Sequence, residues 1–185
     1  MKLINLLNAA NVIVPKKDVR FYLMGVALYI SNDELVAVAS TDGHRLLVLT
    51  VDNNTSLADC NVTIINKNDV SLINLKYSNL SIDELTSSNS INNILNLCEK
   101  INGTYPDIVR VIPKKDRIVD DGTVGLDLRY LSDTYKIHTQ LTKGLKNKFM
   151  PHYLFSIGDR NNAITASKTL DKIDVLYVQM PNKIK

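Results

Sequence analysis

Hydrophobic positions change their period along this chain. Near the start, Leu3, Leu6, Leu7, Ala10 and Val14 fall at helical spacing, which predicts a short amphipathic helix closed by Pro15. The period then becomes that of strands. VRFYLMGVALYI (19–30), LVAVAS (35–40) and HRLLVLTV (44–51) are rich in β-branched and aromatic residues, and the turn-forming pairs Asn32-Asp33 and Asp42-Gly43 separate them. The cycle repeats with a strand at NVTIINK (61–67) and a helix at DVSLINLKY (69–77), capped by Asn68 or Asp69. LSIDELTS (80–87), INNILNL (91–97) and a segment ending in YPDIVRVIP (105–113) follow as predicted strands. A third cycle opens with a strand at TVGLDL (123–128). RYLSDTYKIHTQLTK (129–143) is then a helix with Tyr130, Thr134, Ile137 and Leu141 on one stripe, and HYLFSIGD, NAITASK and VLYVQMP read as three strands.

The chain therefore reads as three units of one helix and three strands, the later two with a further strand ahead of the helix. The repeat lies in element order rather than in residues. The polar stretch KKDRIVDDG (Lys114 to Gly122) is the candidate linker. The predicted class is α+β, with sheets covered by helices on one face.

Composition narrows the function classes. Of the 185 residues, 45% are hydrophobic and 22% charged, the balance of a folded globular protein. No apolar run approaches the roughly 20 residues of a membrane helix. The N-terminal stretch is broken by Asn5, Asn8 and Asn11 and does not read as a signal peptide. Cys60 and Cys98 have neither disulfide-framework nor zinc spacing, so reduced thiols in the cytoplasm are expected. Net charge is +3, unevenly spread: residues 1–112 hold 9 Lys/Arg against 11 Asp/Glu, and residues 113–185 hold 13 against 8. A basic C-terminal part suits a polyanion partner and suits a solvated surface equally well.

The densest run of chemistry is Ser40-Thr41-Asp42-Gly43-His44-Arg45-Leu46. A hydrolase would need Ser40 or Thr41 as nucleophile, His44 as base and Asp42 as its orienter. Around a tight turn these side chains run parallel rather than in relay, and no nucleophile-elbow glycines surround Ser40. His44, His138 and His152 fall in separate units and make no metal-ligand spacing. No glycine-rich loop precedes a helix. No catalytic residue, metal or cofactor is assigned. The plain reading of Asp42-Gly43 is a hairpin turn.

Four blocks in order carry a family resemblance: VRFYLMG (Val19–Gly25), STDGHRL (Ser40–Leu46), YPDIVRVIP (Tyr105–Pro113) and LYVQMP (Leu176–Pro181). With LDLRYLSDTYKI (126–137), they resemble the bacterial β sliding clamp, the processivity subunit of the replicative DNA polymerase. The resemblance implies an architecture of βαβββ units. Residues 1–113 would be like the clamp's central domain, and 114–185 like the C-terminal half of its third domain. A shortened clamp of this kind fits a phage or plasmid origin. Departures are Met24, where the family usually has Asn, and the tail NKIK after Met180-Pro181.

The resemblance also implies a groove that takes short, largely apolar peptide motifs of polymerases and repair proteins. Its lining would be Leu23, Thr41, Gly43, His44, Arg45, Leu46, Pro106, Arg110, Val111, Val178, Met180 and Pro181. Leucine, valine, proline and methionine make an apolar trough, and the polar rim can bond a peptide backbone. Lys16, Lys17, Arg20 and Tyr22 are the implied contacts to double-stranded DNA, through phosphates and without sequence reading. Lys143–Lys148 (KGLKNK) reads as a loop. Three units per chain, against the twelve of a clamp ring, would let four chains close a homo-oligomeric ring. The other reading is an adaptor that captures clamp-binding motifs without a ring.

Overall fold

The computed structural model of the chain describes residues 1–85, 90–113, 127–145, 151–156 and 163–180. The predicted linker Lys114–Gly122, most of the predicted strand at 123–128, the end of the KGLKNK stretch and Pro181 lie outside the described residues.

Seven strands form one antiparallel sheet. They are β1 (Gly25–Ser31), β2 (Glu34–Thr41), β3 (Arg45–Thr50), β4 (Asn61–Asn66), β5 (Leu154–Ser156), β6 (Ile164–Leu170) and β7 (Ile173–Gln179). Their spatial order is β4-β1-β2-β3-β7-β6-β5. The helices are α1 (Leu3–Asn11), α2 (Val70–Tyr77), α3 (Ile82–Leu85), α4 (Ser90–Leu95) and α5 (Leu128–Leu141). The α+β class expected from the sequence holds.

The sheet is assembled from two similar parts that meet at β3–β7. A helix followed by a three-strand meander, α1 with β1–β3, faces a second such set, α5 with β5–β7, and α1 packs on α5. Apolar residues on both faces explain why β1–β3 are buried from both sides. Val26, Leu28, Leu47, Leu49, Val175 and Tyr177 meet α1 and α5 residues such as Leu6, Leu7, Ile137 and Leu141 in the larger core. On the other face Ala27, Tyr29, Ala39, Leu46, Val48 and Val178 form a second cluster, closed by Tyr105 and Ile108. A bulge at Val36 shifts the β1–β2 register, and its carbonyl accepts from the amides of Val51 and Asp52.

Local chemistry explains the successes and the departures. Asn32 and Asp33 adopt φ of 50° and 61°, as a two-residue hairpin demands. Asn5, the polar break in the first apolar stripe, is buried and donates to the carbonyls of Leu141 (3.3 Å) and Lys143 (2.9 Å), satisfying the end of α5. The predicted cap of α2 works otherwise. Asn66 accepts from the Asn68 amide at 3.0 Å, and Asp69 accepts from the Glu99 amide at 2.7 Å. VRFYLMG does not enter the sheet as a unit. Phe21–Leu23 curl into a 3-10 turn and the strand begins at Gly25.

The middle unit departs most. Its strand β4 and helix α2 form, but the three strands expected over 80–113 are not there among the described residues. Ile82–Leu85 and Ser90–Leu95 are helical, and the YPDIVRVIP stretch is irregular with a 3-10 turn at Ile108–Arg110. The reason was present in the residues. Ser81 and Glu84 make a reciprocal capping box: the Ser81 amide donates to Glu84 Oε2 at 2.8 Å, and the Glu84 amide donates to Ser81 Oγ at 3.3 Å. Ile91, Ile94 and Leu95 have helical spacing and are buried.

A candidate peptide groove at the β3–β7 seam

The turn from Asp42 to His44 is built by its own side chains. Asp42 Oδ1 accepts from the amides of His44 (2.9 Å) and Arg45 (3.0 Å). Thr41 Oγ1 accepts from the Gly43 amide (3.1 Å) and donates to the Arg45 carbonyl (2.7 Å). These are the local bonds that Asp and Thr make where the ladder ends. Gly43 has φ of +88°, and a Cβ there would lie 2.6 Å from Arg20 Nη1. The positive φ favours glycine, and any side chain there would also have to push the Arg20 guanidinium aside.

The seam joins segments far apart in sequence. Leu46 pairs with Val178 and Arg45 with Gln179, and the Met180 amide donates to the His44 carbonyl at 2.8 Å. Leu46 and Val178 share the outer-face cluster, and Val111 packs against it. His44 is exposed, and Met180 is 41% exposed beside it. So the structure brings Thr41, Gly43, His44, Leu46, Val178 and Met180 to one end of the sheet, with Val111 on its outer face. Leu23 is buried, at 1% exposure, in the 3-10 turn that leads into β1. Pro106 is half-buried. Arg110 is exposed and ion-paired with Asp107 at 2.9 Å.

Arg45 is placed differently from the rim position implied by the resemblance. It alternates with Leu46 along β3, so it shares the helix-side face with Leu47. There its Nε donates to Asp42 Oδ2 at 2.9 Å, its Nη1 donates to Asp133 of α5, and its guanidinium lies 4.7 Å from the Tyr130 ring centroid. Asp133 also accepts from Lys136 at 2.7 Å. Gln179, opposite Arg45, is buried with no partner for its Nε2 among the described residues.

Of the implied DNA contacts, three are exposed and one is half-buried. Lys16 and Lys17 are exposed. Arg20 is held by Asp18 through Nε (3.0 Å) and Nη2 (2.8 Å), and it donates from Nη2 to the Asp42 carbonyl at 3.1 Å. Hydrogen bonds from Arg20 hold the Asp18 carboxyl down at about 2. Tyr22 is half-buried against the outer-face cluster, edge-on to Phe21.

Ser40 and His138 have structural partners. Ser40 is fully buried and donates to the Ala10 carbonyl at 2.7 Å, tying β2 to α1. His138 is buried edge-on to Tyr153, His152 is exposed ahead of β5, and His44 stands in the turn. The sequence pattern gave no site role to Asp18, Asp133 or Tyr105, and it placed Tyr130 only on the α5 stripe. Tyr130 and Asp133 are three apart on a helix, which marks a shared face, but nothing in the sequence names Arg45 as their partner.

The comparisons with known proteins bear on the family and the fold. The family model for the DNA polymerase III beta subunit, central domain, matches residues 1–107. A curated beta sliding clamp from Rickettsia bellii is 34% identical over 106 residues, covering 52% of this chain and 28% of the relative. The chain thus matches little more than a quarter of that relative's length. A DNA polymerase sliding clamp from Pseudomonas aeruginosa superposes with a TM-score of 0.64 at 16% identity, over 98% of this chain and 64% of that one. The clamp of the same organism bound to griselimycin gives 0.62 at 15%, over 98% and 63%. The second pair shares the fold through β5–β7, beyond the reach of the family match. The chain belongs to the DNA polymerase III beta subunit family, through its central domain.

Proposed function

We propose that this chain is a sliding-clamp-type processivity module of DNA replication, a binding protein rather than an enzyme, working in the cytoplasm. Residues 1–113 act as a clamp central domain and 114–185 as half of a third domain. The groove at the β3–β7 seam takes short, largely apolar peptide motifs of polymerases and repair factors. One observation carries the reading: the turn 42–44 and the end of β7 are joined in register, Leu46 on Val178 and Met180 on His44, across more than a hundred residues of chain. Buried valine and leucine beside a half-exposed methionine offer an adaptable apolar floor. The griselimycin-bound clamp among the structural neighbours supports a ligand site on this fold. Titration of a fluorescent clamp-binding peptide from a replicative polymerase tests it. Binding in the micromolar range, weakened on the order of tenfold by Met180→Ala, is expected; no binding to the unsubstituted protein refutes the groove.

A second reading, a groove without a ring, draws on a different observation. Arg20 is committed to Asp18 and Asp42, Tyr22 to the outer-face cluster, and the middle unit lacks its three strands among the described residues. Retention on closed circular DNA separates the two. A ring stays on circular DNA and slides off when it is linearised; an adaptor is retained on neither. Light scattering that finds only monomer at working concentration decides for the adaptor.

A further inference from the structure

Two arginines meet at one turn, and Arg45 does not stand at the rim where the family resemblance would have it act. Arg45 reaches the turn from below through Asp133 and Tyr130 of α5, and it closes on Asp42. Arg20 reaches it from the segment ahead of β1, anchored on Asp18, and covers Gly43 while donating to the Asp42 carbonyl. Each guanidinium charge is already matched by a carboxylate. Asp133 is buried and Arg45 nearly so, which makes their pair costly to break from one side. We infer that Arg20 and Arg45 are positioning residues of the groove, two braces that hold the turn 42–44 so that His44 and Met180 form a fixed wall. The inference rests on the groove reading above.

The physical argument is preorganisation. A three-residue turn with a left-handed glycine would sample several conformations on its own, and each must be frozen out when a peptide binds. Bonds from α5 and from Asp18–Arg20 remove that freedom beforehand. They also fix the His44 carbonyl as the acceptor for the Met180 amide, so both sides of the seam move together.

The experiment uses the full chain in two measurements. Amide exchange is read at Gly43, His44, Arg45 and Met180, with Val38 and Leu47 as core reporters, in the unsubstituted protein, Asp133→Asn and Arg20→Gln. The same proteins, with Arg45→Gln and the double variant Arg45→Gln/Asp133→Asn, are titrated with the fluorescent clamp-binding peptide. Each single substitution is expected to speed the turn amides about tenfold while the core reporters keep their rates, and to weaken the peptide by about tenfold. The double variant is expected to lose no more than the worse single one, because both remove one brace. Turn amides that do not respond, or that speed up only together with the core, overturn the inference. So do additive losses from Arg45 and Asp133, which would place Arg45 on the peptide itself. Peptide affinity that is unchanged in the variants overturns the inference and leaves the groove standing. An unsubstituted protein that binds no peptide refutes the groove, and with it any role of the braces there.

Discussion

Gly43 shows how much a single position decides. Its φ of +88° is one that a side chain resists, and the space a Cβ would take is filled by Arg20. Gly43→Ala should cost about 1–2 kcal/mol of stability, seen as an earlier midpoint in urea unfolding. A smaller loss would mean that the turn relaxes out of its left-handed conformation and that Arg20 swings aside. Asp18 makes a second prediction by pH. Its ordinary carboxyl value of 3.8 is depressed to about 2 in the folded chain, so its bond to Arg20 is present above pH ~4 and is lost as pH falls through about 2. A carboxyl-detected NMR titration should find Asp18 still ionised at pH 3. An ordinary midpoint near 4 would show that Arg20 does not cover the turn in solution.

Elements are decided by capping and by pairing partners more than by hydropathy. The stretch 80–97 reads as strand by its isoleucine and leucine content, yet its Ser81–Glu84 box starts a helix. Ser81→Ala should cost about 1 kcal/mol and release α3 first, visible as faster amide exchange at Glu84 and Leu85 before the sheet opens. At the helix layer, Asn5 is a polar link from within α1 to the end of α5. Asn5→Ala leaves two carbonyls without that donor, and a loss of about 1–3 kcal/mol in denaturant unfolding is expected.

At the scale of the molecule, β3 is an interior strand only because β7 lies beside it. A chain cut after residue 113 would expose the apolar edge Leu46–Leu49 and strip α1 of α5. Such a fragment should self-associate or fail to unfold cooperatively, and sedimentation with circular dichroism would tell. A monomeric, cooperatively folded fragment would mean that the first part is self-sufficient. The same seam carries the candidate groove, so its folding and its recognition are properties of one contact between distant parts of the chain.

Periods, turns and the α+β class were legible because they are local: Asn32-Asp33 sets its own hairpin, and the helical stripe on α5 its own buried face. The four sequence blocks were enough to point to the family and to name both sides of the seam. Local pattern could not say which strand lies next to which, since ladder bonds are the same whatever the side chains. Nor could it say where an arginine turns. Arg20 and Arg45 look alike as exposed cations in a string of letters. Asp18 lies two residues from Arg20, but only the fold brings Asp133 and Tyr130 to Arg45 and the Asp42 carbonyl to Arg20. The local pair Asp18–Arg20 was a matter of sequence; that Arg45 met Asp133 was decided by packing, because a guanidinium taken out of water settles beside a carboxylate.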